Sequence, residues 1–409
     1  MKCRHCHSAL NLPFLDLGSA PPSNSYLTGA ALQAAEVWYP LRLLVCESCW
    51  LVQTEDYAGR DTFFSEDYAY FSSFSSSWLK HSEAYVAAMQ QRLGLDAASM
   101  VVEVAANDGY LLQYVKGRGI PCYGIEPTTS TAQAARAKGI EIVEAFFGRE
   151  LATQLVAQGR QADLTAANNV LAHVPDINDF AGGFALLLKA DGVATFEFPH
   201  LLRMVQNNQF DTAYHEHYSY LSLGAVQRIF QANGLSVFDV EELPTHGGSL
   251  RVFAQRLDNG KRAVQPAVAG VLQQEAQAGM DGRDFYARFQ GQALQVKNDL
   301  LAFLLEARRQ GKKVGAYGAA AKGNTLMNFA GVRPDLLPYV VDLNPAKQGR
   351  FMPGSRVPIV APAHLLADQP DFVLILPWNL RDEVSQQLAQ IAGWGGKFVT
   401  AVPKLDVLG

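Results

Sequence analysis

The chain has 409 residues but no basic run, no long apolar run and only five cysteines. Without clustered lysine and arginine, and with a formal charge of −5 and a pI near 6.0, nucleic acid is not an expected partner. No stretch reaches the ~18 apolar residues that a membrane span needs. The opening MKCRHCHSAL lacks the apolar centre of a secretory signal. The expectation is a cytoplasmic protein with reduced thiols and no membrane partner. A composition of 49% hydrophobic and 18% charged residues suits a globular protein with a sizeable core. The length allows about two or three domains.

Three familiar signatures are also missing. A dinucleotide fingerprint, G-x-G-x-x-G, would let a backbone approach a pyrophosphate. Here the corresponding turn reads Ala105, Ala106, Asn107, Asp108, Gly109, with one glycine. A metalloprotease helix would read H-E-x-x-H. The run YHEHY, Tyr214 to Tyr218, has its histidines two residues apart. A P-loop would read G-x-x-x-x-G-K-[ST]. The segment from Gly318 to Thr325 has Asn324 at the lysine position, and Lys322 comes before Gly323. ATP hydrolysis is therefore not supported.

What is present begins with the cysteines. Cys3 and Cys6 form one C-x-x-C pair, and Cys46 and Cys49 form another. Each pair sets two thiolates on one side of a turn, and two such turns complete a tetrahedron around zinc. Four protein ligands leave no position for water, so this zinc should be structural. Cys122, in the strand-like PCYGIEP, reads as a small buried apolar residue.

From residue 100 the pattern alternates strand and helix, which implies a parallel, doubly wound α/β sheet. Val101, Val102 and Val104 suit a buried strand, and Gly109 frees the backbone at the turn after it. A second strand ends at Glu126, followed by Pro127, in the usual place for a ribose-binding carboxylate. Glu103 and Asp108 near the turn would repel a pyrophosphate but suit a cationic ligand such as S-adenosylmethionine (SAM). The alternative is that they cap a helix. In THGGSLRVF, Gly247 and Gly248 allow close approach of a ligand that His246 and Ser249 could bond; a tight turn before a strand explains them equally well. Phe285, Phe289, Ala293, Val296, Leu300 and Leu304 recur at helical spacing, as core rather than site. A second α/β unit follows, in which Lys322, Gly323 and Asn324 at a helix start could bind a diphosphate, or form an ordinary strand-to-helix turn.

In order along the chain, EVAANDGYLL, GIEPT, NNVLAHVPD, FEFPHL, YHEHYSYLS and THGGSLRVF resemble the SAM-dependent deoxysugar C-methyltransferases, which act on nucleotide-linked 4-ketosugars. The paired-cysteine front and GAYGAAAKGNTLMNF extend the resemblance over essentially the whole chain. It implies a zinc-binding lobe (1–65), a Rossmann-like methyltransferase core (66–260) and a second Rossmann-like domain that helps hold the nucleotide-sugar (261–409). By the same resemblance Glu103, Ala105, Asn107, Asp108, Gly109, Glu126, Pro127 and Asn168 belong to the SAM site. Tyr68 or Tyr70 would face the sugar, and His173 would line the pocket.

The resemblance places Tyr214, Glu216 and His217 in the active site. Methylating a carbon beside a ketone requires removal of its proton, which calls for a base and for a donor to the enolate oxygen. His217 is the expected base, Glu216 its orienting carboxylate and Tyr214 the donor. In a flat strand, residues 214 and 216 would face away from 217. The run must therefore bend for the three to converge.

Overall fold

In the computed structural model, which describes residues 1–57 and 71–408, the chain builds three sheets. Tyr68 and Tyr70 lie outside the described residues. The first sheet begins with an antiparallel meander of β1 (Leu12–Ala20), β2 (Tyr39–Val45) and β3 (Val52–Thr54). Leu41, Leu43 and Val45 alternate inward along β2, the two-residue period of a half-buried strand.

The second sheet is the methyltransferase-type core. Its strands are β4 (Val101–Val104), β5 (Cys122–Ile125), β6 (Glu141–Val143), β7 (Ala162–Asn168) and β8 (Leu188–Pro199), all parallel. The short β9 (Ser219–Tyr220) leaves this sheet and pairs with β3 of the first one, Val52 opposite Tyr220. The chain then returns as β10 (Leu235–Leu243) and β11 (Ser249–Arg256), antiparallel at the edge beside β8. The order is 10-11-8-7-4-5-6. Val101, Val102 and Val104 are all buried, because helices cover both faces of β4. The order reverses between β4 and β7, which opens a crevice at their carboxyl ends. Cys122, expected to be buried, is half-buried at the start of β5.

The third sheet runs 14-13-12-15-16-17, from β12 (Val314–Tyr317), β13 (Val340–Val341), β14 (Ile359–Val360), β15 (Phe372–Ile375), β16 (Lys397–Thr400) and β17 (Asp406–Leu408). All but β17 are parallel, which gives a second reversal between β12 and β15. The helix Phe289–Arg309 buries Phe289, Ala293, Val296, Leu300 and Leu304 along one face. Phe14 of β1 stacks on Phe289 with centroids 4.8 Å apart, and Trp50 stacks on Tyr286 at 5.6 Å. One apolar core thus joins the first sheet, residues 201–220 and the third sheet. Each fully buried large side chain contributes about 1.5–3 kcal/mol to that joint. The helix is core, as its spacing suggests.

Candidate active site

The four paired cysteines gather at the edge of the first sheet, with their sulfurs all within 4.8 Å of one another. Three of the separations are 3.4, 3.5 and 3.7 Å. Sulfurs at the corners of a tetrahedral zinc with bonds near 2.3 Å stand about 3.7 Å apart, so the residues fit the metal. The Cys49 thiol, hydrogen-bonded to Cys3, pulls the Cys3 thiol down to about 4, which already favours a thiolate. Among the described residues this is the one such group, and YHEHY is not part of it.

At the first crevice, the turn after β4 puts Ala105, Asn107 and Gly109 at positive φ. Gly109 is required: a Cβ there would meet the Ile140 side chain at 2.4 Å. Glu126, at the tip of β5, accepts the Asn107 N–H and the Thr128 N–H, each at 2.9 Å. Burial pushes its carboxyl up. Glu126 therefore holds the turn as well as facing the crevice. Asn168, at the end of β7, has a buried Oδ1 without a donor among the described residues. These residues fit SAM: Asn168 offers an acceptor to an amine, and Glu126 stands where ribose hydroxyls would lie.

Two of the expected SAM contacts are corrected. Glu103 is fully buried beneath the turn, and burial raises its carboxyl well above the usual range. It is not a wall of the crevice, and its main polar neighbour is the Tyr110 hydroxyl. Asn107 and Asp108 accept the N–H groups of Ser72 and Ser73, just before the helix Ser76–Leu93, and Lys138 lies 3.4 Å from Asp108. The Asp108 carboxylate is thus engaged within the protein, by the Ser73 N–H and the Lys138 ammonium, while Ser75 caps the helix Ser76–Leu93.

The YHEHY run bends. The His217 N–H donates to the Tyr214 carbonyl at 3.0 Å, closing a turn after the short 3-10 segment Phe210–Thr212. The Tyr214 ring lies against His217 with centroids 4.0 Å apart, and His173 meets His217 edge-on at 4.5 Å. The turn is held from the first sheet: β9 pairs with β3, the Thr54 hydroxyl donates to the His217 carbonyl at 3.1 Å, and Arg4 donates to the Tyr218 carbonyl. His217 is held well below the ordinary imidazole value by burial first and by His173 second. Burial also lowers His173 to about 4. Both rings are thus neutral near pH 7, the form a base needs.

Glu216 does not orient His217. Both its oxygens accept from the Asn24 side chain, at 3.0 and 3.2 Å, and burial raises it to about 7. Glu216 and His217 are consecutive, and the turn points the carboxyl and the imidazole to different neighbours. His215 is engaged by the Tyr39 carbonyl at 3.3 Å.

His246 sits at φ 54° in a turn of its own, and its Nε2 is 3.1 Å from the Asn169 amide. Burial, then the Lys322 charge, lowers it to about 4. The glycines after it serve packing rather than a ligand: a Cβ on Gly247 would strike Gln209 at 2.5 Å and Trp378 at 2.6 Å, and one on Gly248 would strike Arg203 at 2.7 Å. The Ser249 hydroxyl donates to the Thr245 carbonyl at 2.9 Å. Gly247, Gly248 and Ser249 therefore belong to the tight-turn alternative.

In the third sheet's first helix, Ala321–Ala330, Asn324 is fully buried and donates to the Ser23 carbonyl at 2.6 Å, while Gly323 packs on Leu376. The Asn324 side chain is thus taken up within the protein. Lys322 differs. Its ammonium donates to Asn379 at 2.7 Å and lies 4.6 Å from the Trp378 ring, and its charge bears on His217 and His246.

Several residues of the site were not singled out from the sequence. Trp378 donates to Asp211 at 2.8 Å and packs against the Gly247 turn, so it ties three segments together. Glu197 is fully buried in β8 and accepts from His81, Arg251 and Thr245 at 2.9, 2.9 and 3.0 Å. Burial alone would raise its carboxyl, but His81 and Arg251 outweigh that and lower it. An acidic residue inside the apolar strand FEFP was a signal in plain view. Beside these lies an open groove of about 420 Å³ at the ends of β15 and β16, lined by Trp378, Asn379, Arg381, Thr400 and Lys404 among others.

Three family models match the chain in succession: a domain described as zinc binding over residues 3–64, a methyltransferase domain over 78–240 and a C-methyltransferase C-terminal domain over 244–403. C-methyltransferase NovU of Streptomyces niveus is 32% identical over 407 residues, spanning 100% of this chain and 96% of that protein. Solved structures similar to part of the chain include magnesium protoporphyrin IX methyltransferase (ChlM) from Synechocystis PCC 6803 with bound SAM. It is 17% identical and covers 44% of this chain and 79% of its own, with a TM-score of 0.34. Another is the Burkholderia thailandensis 1,6-didemethyltoxoflavin-N1-methyltransferase, 16% identical over 50% of this chain and 95% of its own, with a TM-score of 0.37. Matched by its relative from end to end, the chain belongs to the SAM-dependent C-methyltransferases that carry an N-terminal zinc-binding domain.

Proposed function

We propose that the chain methylates a ring carbon next to the keto group of a nucleotide-linked 4-keto-deoxysugar, dTDP-linked in the first instance, through an enolate. The observation that carries this reading is the bent YHEHY turn, which buries a neutral His217 against Tyr214 and His173. Attack by carbon needs a carbanion equivalent, and a carbon beside a ketone yields one when a base removes its proton. His217 takes that proton and becomes imidazolium; the C–H pair moves into a C=C bond, and the carbonyl π pair moves onto oxygen. SAM, when bound, supplies the methyl group as an electrophile on a sulfonium. Tyr214 is the hydroxyl donor to the enolate oxygen, and its ring and His173 flank the base.

A two-part substrate suits the layout. Trp378 and Asn379 belong both to the Lys322 cluster and to the groove, whose lining mixes Arg381 and Lys404 with Asp382, Glu383 and Asp406. The sugar would lie at the imidazoles and the nucleotide portion along the groove. Mass spectrometry of reactions with SAM and a panel of 4-ketosugar nucleotides tests the acceptor. A gain of one methyl on carbon supports the reading; methylation at oxygen, or of none of the panel, sinks it.

A further inference from the structure

Lys322 is a buried ammonium with an unusual set of neighbours. It carries three N–H donors, and among the described residues one acceptor, Asn379 Oδ1, receives one of them. The Trp378 ring lies 4.6 Å from it, and the buried Asp211 carboxylate bears on it electrostatically without a direct ion pair among the described residues. Trp378 in turn donates to Asp211, whose neighbour Thr212 offers its carbonyl to the His217 ring. The Gly247 turn that carries His246 closes against the same Trp378. The ammonium therefore stands at the junction of the His217 and His246 turns, held in place by two residues of one loop.

Burying a charge with no counter-ion in direct contact is costly, a cost that an arriving anion offsets. Two anions are conceivable here: the substrate's diphosphate and its enolate oxygen. The groove sets Arg381 and Lys404 among the carboxylates of Asp382, Glu383 and Asp406, whereas the Lys322 charge bears on the His217 and His246 imidazoles. We propose that the Lys322 ammonium receives the negative charge that develops on the ketone oxygen as the neighbouring carbon loses its proton. This rests on the enolate reading given above. The proton goes to His217, the electron pair goes to oxygen, and Lys322 stabilises that oxygen by N–H donation and by charge without giving up a proton. A donor fixed before the charge appears costs no reorganisation, the condition for oxyanion stabilisation.

The test separates proton removal from nucleotide binding. Full-length wild type, Lys322→Met, Lys322→Gln and Lys322→Arg are incubated in D2O with a dTDP-linked 4-keto-6-deoxyhexose, without methyl transfer, and deuterium uptake is read by mass spectrometry. Affinity for dTDP, which has the diphosphate but no ketone, is measured by calorimetry, and thermal unfolding reports the fold. At saturating substrate the two neutral variants should exchange about 10²–10³-fold more slowly, Lys322→Arg should recover part of that loss, and dTDP affinity should stay within about twofold. Wild-type exchange in either folded neutral variant overturns the proposal. So does a large fall in dTDP affinity with exchange intact, which would make Lys322 a diphosphate ligand. If the wild type methylates the sugar at carbon yet never exchanges, the enolate reading itself fails.

Discussion

The chain contains two doubly wound units, and their first turns were built alike and then used differently. In the core, Glu126 at the tip of β5 accepts the Asn107 N–H from the turn after β4. In the third sheet, Asp342 just beyond β13 accepts the Ala319 N–H from the turn after β12, at 2.7 Å. Each carboxylate also accepts a second N–H two residues further on, from Thr128 and from Asn344. The core turn keeps a crevice in front of it, with Asn168 Oδ1 unpaired at its edge among the described residues. The other turn is covered. The Tyr26 hydroxyl and the Lys347 ammonium both donate to the Ala319 carbonyl, at 2.6 and 2.8 Å, and Asn324 and Thr325 bond Ser23 and the Ala213 carbonyl. A helix start with free N–H groups is a binding site only where no other part of the chain arrives first. What survives of the second site is Lys322, turned toward the imidazoles.

The covering segment comes from the zinc lobe, so the metal offers the largest perturbation of this comparison. Cys3→Ser or Cys46→Ser should lose zinc together with soluble protein. The effect should reach both units, because the lobe holds the His217 turn through β9 and the Ala319 turn through Tyr26. Metal analysis and unfolding of the purified variants check this. Well-folded protein without zinc would remove the claim.

Next in size is the base. His217→Asn should slow turnover by about 10²–10⁴-fold with SAM affinity unchanged, since the crevice at Glu126 is built from other strands. A base must be deprotonated to act, and the His217 value is lowered. The acid limb of kcat/KM should therefore lie below pH 6.5, and activity should hold as pH falls from 8 to 6.5. An acid limb near or above pH 7 would point instead to a group raised by burial, Glu216 at about 7 being the candidate.

The parts of this arrangement that were legible in the sequence are those set by near neighbours. Two C-x-x-C pairs, a three-valine strand, an acidic residue closing the next strand and a helical apolar period all express local geometry; five of the six residues of that period line one helix, and Phe285 lies half-buried on the short helix before it. The bend in YHEHY was expected so that three side chains converge; Tyr214 and His217 come together, and Glu216 does not join them. The misassigned roles depend on partners far along the chain. Glu216 is taken by Asn24, 192 residues away, and Asn324 by Ser23, 301 residues away. Gly247 and Gly248 were rightly read as sites of close approach, but Trp378 and Arg203 make the approach rather than a ligand. No local pattern announces which distant segment will occupy a crevice, and that choice separates the two units.

The smallest expected effects test the pair of carboxylates directly. Glu126→Gln keeps the size of the side chain but turns one acceptor into a donor facing an N–H. If Glu126 also holds the ribose hydroxyls, SAM binding should weaken by about 1.5–3 kcal/mol. Asp342→Asn makes the same chemical change at the equivalent place, in front of a turn that Tyr26 and Lys347 cover. It should leave SAM affinity as it is and cost about 1 kcal/mol of stability through one lost N–H acceptor. Calorimetry with SAM and chemical unfolding of the two variants read both quantities. Equal loss of SAM affinity in the two would mean that the effect travels through general loosening. No loss in Glu126→Gln would leave Glu126 as a brace for the turn, the role that Asp342 has, and would make the two carboxylates alike in use as well as in position.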